Sequence, residues 1–261
     1  MRAARRRQLG LVLLATGCLM GSGTPATETR NVGVFTAVRT EGPVNVVVDP
    51  TASSSALEVT CDDNLLKLVK TEIDGRTLVV GFAQSKAASP RTPCSVRTGQ
   101  TTLSSIISLG SGDIDAQGAL GTLSEVKSLG SGDIEVAMDA SALTGGASSG
   151  ALSVQSLGSG DVSLLGLAVD ELDLKTLGSG DLKVGGVAKR TVATAKGSGD
   201  LDGQSLTTQD AVLHTAGSGD IVMRVEANVD AKTQGSGDIQ IYGEPAGRTV
   251  SADGSGEVVF R

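Results

Sequence analysis

Aromatic side chains are nearly missing from this chain: 261 residues include 3 Phe, 1 Tyr and no Trp. That removes the large rings around which many cores are built and the stacking platforms on which single-stranded nucleic acids lie. Basic charge is scarce as well, with 22 Lys and Arg against 29 Asp and Glu, and four of those basic residues (Arg2, Arg5, Arg6, Arg7) fall in the first seven positions. An acidic chain has no patch that neutralises phosphates and is repelled by anionic lipid, so nucleic acid is excluded as a partner. The single histidine, His214, rules out multi-histidine metal sites and leaves one candidate for a Ser-His-Asp arrangement. Glycine, in contrast, is abundant at 36 residues, without the every-third spacing of collagen. With 39% hydrophobic and 20% charged residues, the composition is that of a folded, turn-rich β protein.

The first residues read as an address. The basic start precedes the apolar run Leu9–Gly17, far short of the ~20 residues that cross a bilayer as a helix, which is the pattern of a secretion signal. The run ends in Ala15-Thr16-Gly17-Cys18. This resembles the lipobox of bacterial lipoproteins, in which the cysteine becomes the lipidated N-terminus, although Ala15 stands where Leu is usual. The expectation is a signal peptide over 1–17, lipidation at Cys18 and a linker over 18–30. The alternative is plain secretion with cleavage after Ala26. The pair Arg6-Arg7 also hints at twin-arginine export. Three cysteines in an exported chain leave one to explain. With Cys18 assigned to lipid, Cys61 and Cys94 are expected to form a disulfide, against the alternative of two buried thiols.

A repeat fixes the architecture. Gly-Ser-Gly-Asp begins at 110, 130, 158, 178, 197, 217 and 235, and Gly-Ser-Gly-Glu at 254. A period near 20 is the mark of a solenoid, whose coils bury their apolar faces only by stacking on one another. After each acidic residue comes an apolar one (Ile114, Ile134, Val162, Leu182, Leu201, Ile221, Ile239, Val258), then a polar-rich position and a second small or apolar one, the alternation of a half-buried strand. Two residues before each motif the column is small throughout: Ser108, Ser128, Ser156, Thr176, Ala195, Thr215, Thr233 and Ala252. Each coil thus reads as strand, glycine corner, strand and return turn, with glycine supplying any φ > 0 the corner needs. The fold class is all-β, a single-stranded parallel β-solenoid. Its eight coils would make a rod of roughly 40 Å at ~4.8 Å per coil. The 28-residue spacing between 130 and 158 holds an inserted loop near 139–149.

Residues 31–95 differ from the repeats, which occupy 96–261 of the 31–261 solenoid domain. Larger alternating strands, with turns at Asp49-Pro50, Asp62-Asp63-Asn64 and Asp74-Gly75, read as an irregular N-terminal β cap, and 83–93 as a surface loop. The order Phe35-Thr-Ala-Val38, Gly42-Pro-Val-Asn45, Asp63-Asn-Leu-Leu66, Thr71-Glu72 and Gly75-Arg-Thr-Leu78, followed by the tandem corners, resembles the bacterial family called putative auto-transporter adhesin, head GIN domain, over about 31–260. The resemblance implies a β-helix-like domain on exported or lipid-anchored envelope proteins, without established enzymatic activity, and carries over no catalytic residue.

Three columns hold what chemistry there is. Asp113, Asp133, Asp161, Asp181, Asp200, Asp220, Asp238 and Glu257 form a carboxylate ladder. Hard Ca²⁺ is the metal such oxygens would take, but the nine-residue calcium repeat does not match the period here. The preferred reading is that each Asp accepts hydrogen bonds from turn amides, with no cofactor. His214 lies in an outward column between Thr194 and Lys232, with no specified nucleophile or acid. Lys175 and Lys183 alternate with acids, as cross-strand charge pairs do, rather than forming a lyase base. Directly before the motif stand Leu109, Leu129, Leu157 and Leu177, then Lys196, Ala216, Gln234 and Asp253. Strict alternation points these leucines outward, making an interface for an oligomer or partner, whereas a corner twist would turn them inward; the inward orientation is preferred.

Together these features predict a non-catalytic cell-envelope protein, in the outer membrane or periplasm as a lipoprotein or else secreted. Its surface would engage a protein or glycan ligand, and it would meet the membrane only through an N-terminal lipid. The alternative is a polysaccharide-binding or polysaccharide-processing β-helix, against which the lack of aromatics speaks.

Overall fold

The computed structural model describes residues 18–83, 88–118, 120–138 and 149–261. The expected signal peptide, most of the 139–149 insertion and residues 84–87 of the predicted loop lie outside them. Nine strands precede the repeats: β1 (Leu19–Met20), β2 (Pro25–Asn31), β3 (Ala37–Glu41), β4 (Val44–Val48), β5 (Ala56–Asp62), β6 (Val69–Asp74), β7 (Thr77–Phe82), β8 (Ala88–Ser89) and β9 (Cys94–Thr98). The repeats supply β10 (Ser105–Ser108), β11 (Ile114–Gly118), β12 (Glu125–Ser128), β13 (Ile134–Met138), β14 (Ser149–Ser156), β15 (Val162–Thr176), β16 (Leu182–Ala195), β17 (Leu201–Thr215), β18 (Ile221–Thr233), β19 (Ile239–Tyr242), β20 (Gly247–Ala252) and β21 (Val258–Phe260).

The stacked parallel strands form a β-solenoid, with about seven turns between the first and last of the eight Gly-Ser-Gly corners. Past the corners, Ile114 pairs with Ile134, Val162 with Leu182, Leu201 with Ile221, and Ile239 with Val258. From Ile114 to Ile239 this column is fully buried. The small column before the corners is buried too, from Ser108 to Thr233. From Ser156 onward its hydroxyls donate to glycine carbonyls, as Thr215 Oγ1 does to Gly219 at 3.0 Å and Thr233 Oγ1 to Gly237 at 3.0 Å, whereas the buried Ser108 and Ser128 hydroxyls have no partner among the described residues. In those later coils a polar group inside a narrow coil is thereby satisfied without a large side chain.

The motif glycines are needed for a different reason from the one expected. None has positive φ. A Cβ on Gly178 would lie 1.9 Å from the carbonyl oxygen of Gly158, and one on Gly180 would lie 2.1 Å from that of Gly160. Each corner sits directly on the corner below, and Ser179 N–H donates to Gly158 O at 3.0 Å, so the stacked backbones leave no room for a side chain. In the repeats, left-handed glycines occur instead on the far side of the coil, as at Gly166 (φ 77°), and a corner-like left-handed glycine is found at Gly42 (φ 98°), outside the Gly-Ser-Gly motifs. There β15 to β18 run on as bent strands of 13 to 15 residues rather than breaking into separate return turns.

The N-terminal region is more regular than a cap. β3 and β4 pair in parallel with β10 and β11, so 37–48 is itself a coil, and β7 and β9 stack beneath it in parallel as the end rung. The end rung comes later in sequence than the coil it supports. Capping falls to β5 and β6, which run antiparallel to β9 and β7, with β2 antiparallel to β5 at the edge. Residues 18–30, expected as a linker, contain β1 and all but the last residue of β2. The polar alternation of Pro-Ala-Thr-Glu-Thr-Arg-Asn gave no apolar face to reveal the strand, which is held by backbone pairing along its length.

Candidate functional site

The carboxylate ladder is ordered by the stacking itself. Asp133 N–H donates to Asp113 Oδ1 at 3.0 Å, and the contact repeats from Asp161 to Asp133, Asp181 to Asp161, Asp200 to Asp181 and Asp220 to Asp200 at 2.8 Å each. Asp238 N–H reaches Asp220 at 2.7 Å, and Glu257 N–H reaches Asp238 at 2.8 Å. The amide donors anticipated from sequence are therefore present, but each belongs to the next coil. The ladder also starts earlier: Asp113 N–H donates to Asn45 Oδ1 at 3.0 Å. Gly42-Pro43-Val44-Asn45 fills the place of a Gly-Ser-Gly-Asp corner, and the small Thr40 before it and apolar Val46 after it were the signal. Among the described residues, no group of three or more His, Cys, Asp and Glu side chains is placed to hold a metal ion.

The leucine column corrects the preferred inward orientation. Leu109, Leu129, Leu157 and Leu177 are 38–45% exposed, because alternation continues unbroken from the buried Ser or Thr beside each into the corner. Four apolar side chains thus project on successive coils along one line. His214 sits between Thr194 and Lys232, as expected. The lysines pair mostly within their own strand rather than across it: Lys175 with Asp173 at 2.5 Å, and Lys127 with Glu125. Lys127 and the Ser105 hydroxyl hold the Glu125 carboxyl below its usual range, against the opposing effect of burial.

On the same face the register aligns Glu171, Arg190, Asp210 and Asn228 beside Asp173, Val192, Val212 and Asp230. Between these columns runs a groove, about 380 Å³ of it next to Asp210 and Asn228. Asn228 Nδ2 donates to Asp210 Oδ1 at 2.6 Å. The Arg190 side chain makes neither an ion pair nor a hydrogen bond among the described residues.

At the capped end Cys61 and Cys94 are bonded, with Cα atoms 4.2 Å apart, joining β5 to β9. Cys18 is free and exposed. The turn Asp62-Asp63-Asn64, read from sequence only as a turn, gathers the chain that follows Cys18. Burial pushes the Asp62 carboxyl up, but the Arg91, Thr92 and Gly23 amides and the Thr92 hydroxyl donate to it and together hold it below its usual range. The Arg97 guanidinium, 2.5 Å from Asp49 Oδ2, holds that carboxyl down to about 2, helped by Thr51.

Comparison with known proteins agrees with this geometry. The family described as putative auto-transporter adhesin, head GIN domain, matches residues 34–156 and 144–245. No curated protein matches the chain. Among solved structures, a putative lipid binding protein from Parabacteroides distasonis superimposes with TM-score 0.75 at 21% identity, covering 94% of this chain and 100% of that one. A putative adhesin from the same organism gives 0.74 at 20% identity, with the same coverage. A putative adhesin from Bacteroides fragilis gives 0.65 at 21% identity, covering 93% of this chain and all of that one.

Proposed function

This chain belongs to the family described as putative auto-transporter adhesin, head GIN domain, and on that basis we propose that it is an exported, non-catalytic surface module that holds a partner on the outside of its solenoid. The observation that carries the reading is the line of Leu109, Leu129, Leu157 and Leu177, exposed on successive coils. Apolar side chains in contiguous register on a rigid support are what a partner or a second copy buries. Lipidation of Cys18 would fix the module to the envelope. Its support is the basic start, the short apolar run and the small residues before an exposed, unbonded cysteine. No helix among the described residues is long and apolar enough to cross a membrane.

A glycan ligand is a second reading, favoured by the groove in which Arg190 is unpaired beside the Asp210–Asn228 pair. Attachment of cells displaying the chain tests the first reading. A Leu129→Ser/Leu157→Ser variant with unchanged melting should lose attachment, and undiminished attachment would refute the leucine line. A glycan array with and without Ca²⁺, run beside a lyase assay, tests the second. Saccharide binding lost in Arg190→Ala would favour it, and turnover of any polysaccharide would end the non-catalytic claim.

A further inference from the structure

The chain has no slack after Cys18. Leu19 and Met20 pair in parallel with Ala88 and Ser89, and Gly21 N–H donates to Ser89 O at 2.9 Å. Asn64 grips both sides of Gly21, its Nδ2 donating to Met20 O and its Oδ1 accepting Ser22 N–H, each at 2.9 Å. Ser22 Oγ donates to Asp63 at 2.6 Å, and Gly23 N–H donates to the buried Asp62 at 2.9 Å. A Cβ on Gly21 would sit 1.9 Å from Asp62 Oδ2, so the strap lies flat against that carboxylate. Asp62 follows Cys61, whose bond to Cys94 secures the other side. A residue that serves only as the start of a tether needs none of this.

Charge is divided along the same axis. Residues 18–98 hold eight basic and eight acidic side chains, whereas 99–261 hold ten basic and twenty-one acidic, a net of −11. An anionic lipid surface tolerates the first and repels the second.

We propose that the capped end is a foot: the strap fixes Cys18 beside β8 and the Asp62–Asn64 turn of the cap so that a lipid surface meets that end, and the rod stands away from the bilayer with its leucine and carboxylate ladders clear of it. This rests on Cys18 as the anchored residue, and the two claims fail separately. Coupling the folded chain, Cys18 to Arg261, through the Cys18 thiol to maleimide lipid in a supported bilayer presupposes no native lipid. Neutron reflectometry then reads the height of the layer. Ten stacked rungs make the upright rod roughly 45 Å tall against roughly 20 Å lying down. The upright value is expected on both neutral and anionic bilayers. A Gly21→Val/Ser22→Ala/Asn64→Ala variant, in which a side chain at 21 cannot lie against Asp62 and the Ser22 and Asn64 grips are gone, and which is folded by its circular dichroism, should give a thinner layer on neutral lipid. A wild-type layer of the lying thickness, or a variant as tall as wild type, would overturn the foot. The mass of the native N-terminus judges the anchor: lipid on Cys18 supports it, and an unmodified start near Thr27, which would remove the strap, ends both the anchor and the foot's use in the cell.

Discussion

A glycine in this protein is defined by the residue one coil below it. Gly178 and Gly180 have ordinary φ values, yet a methyl on either would meet a carbonyl oxygen about 2 Å away, and that oxygen is backbone held in its own ladder. Gly178→Ala is therefore expected to cost about 3 kcal/mol or more, since relief requires prising two coils apart. Ser179→Ala between them, on an exposed side chain, should stay within about 0.5 kcal/mol. Urea midpoints of the two variants check the contrast. The glycines were legible in the sequence, but their reason was not: a contact across coils depends on register, which no single residue shows. Asn45 was hidden in the same way, since Pro43 and Val44 replace the Ser and Gly that mark the other corners. At Asp49 the residue scale also sets a pH response. Arg97 lowers its folded pKa to about 2 from an ordinary 3.8, so the stabilisation is present above about pH 4 and is lost as pH falls towards 2. Thermal melts from pH 5 to 2 should show wild type losing more stability than Asp49→Asn over that window, with a constant gap above it. A gap that stays constant down to pH 2 would dismiss the pair.

Ladders are the unit at the next scale. Like charges ~4.8 Å apart repel by roughly 1 kcal/mol per neighbouring pair even in bulk water. The carboxylate column tolerates this because each Oδ1 receives the amide of the coil above, at 2.7–3.0 Å throughout. Screening should then raise the melting temperature modestly, and Na⁺ and Ca²⁺ at equal ionic strength should do so alike. A rise of several degrees specific to submillimolar Ca²⁺, lost in Asp181→Asn/Asp200→Asn, would make the column a metal site. The strands from β10 onward were readable because alternation and corner repeat together. The leucine line was readable too, had alternation been followed through the corner instead of an assumed twist. Return turns were not, because bent strands with a left-handed glycine such as Gly166 carry the same residues as a turn.

Over the whole molecule the two ends differ. All four aromatics lie outside the narrow middle, with Phe35 and Phe82 towards the capped end and Tyr242 and Phe260 in the last two rungs, where Arg248 stacks 4.3 Å over the Phe260 ring. β5 and β6 and the disulfide close one end, whereas among the described residues β20 and β21 pair on one side only, with β18 and β19. Stacking order was out of reach of the sequence here, since the end rung is assembled from β7 and β9 on either side of 83–93 and slips beneath a coil made earlier in the chain. A solenoid's stability is a sum over rungs and their neighbours, so a rod fastened at its foot should open from the far end. Native-state hydrogen exchange, read by mass spectrometry, measures this directly. Protection is expected to rise from β20 and β21 through the repeats to a maximum in β3, β4, β10 and β11, and reducing Cys61–Cys94 should erode only the capped end. Uniform protection, or a gradient running the other way, would contradict a one-dimensional stack secured at its N-terminal end.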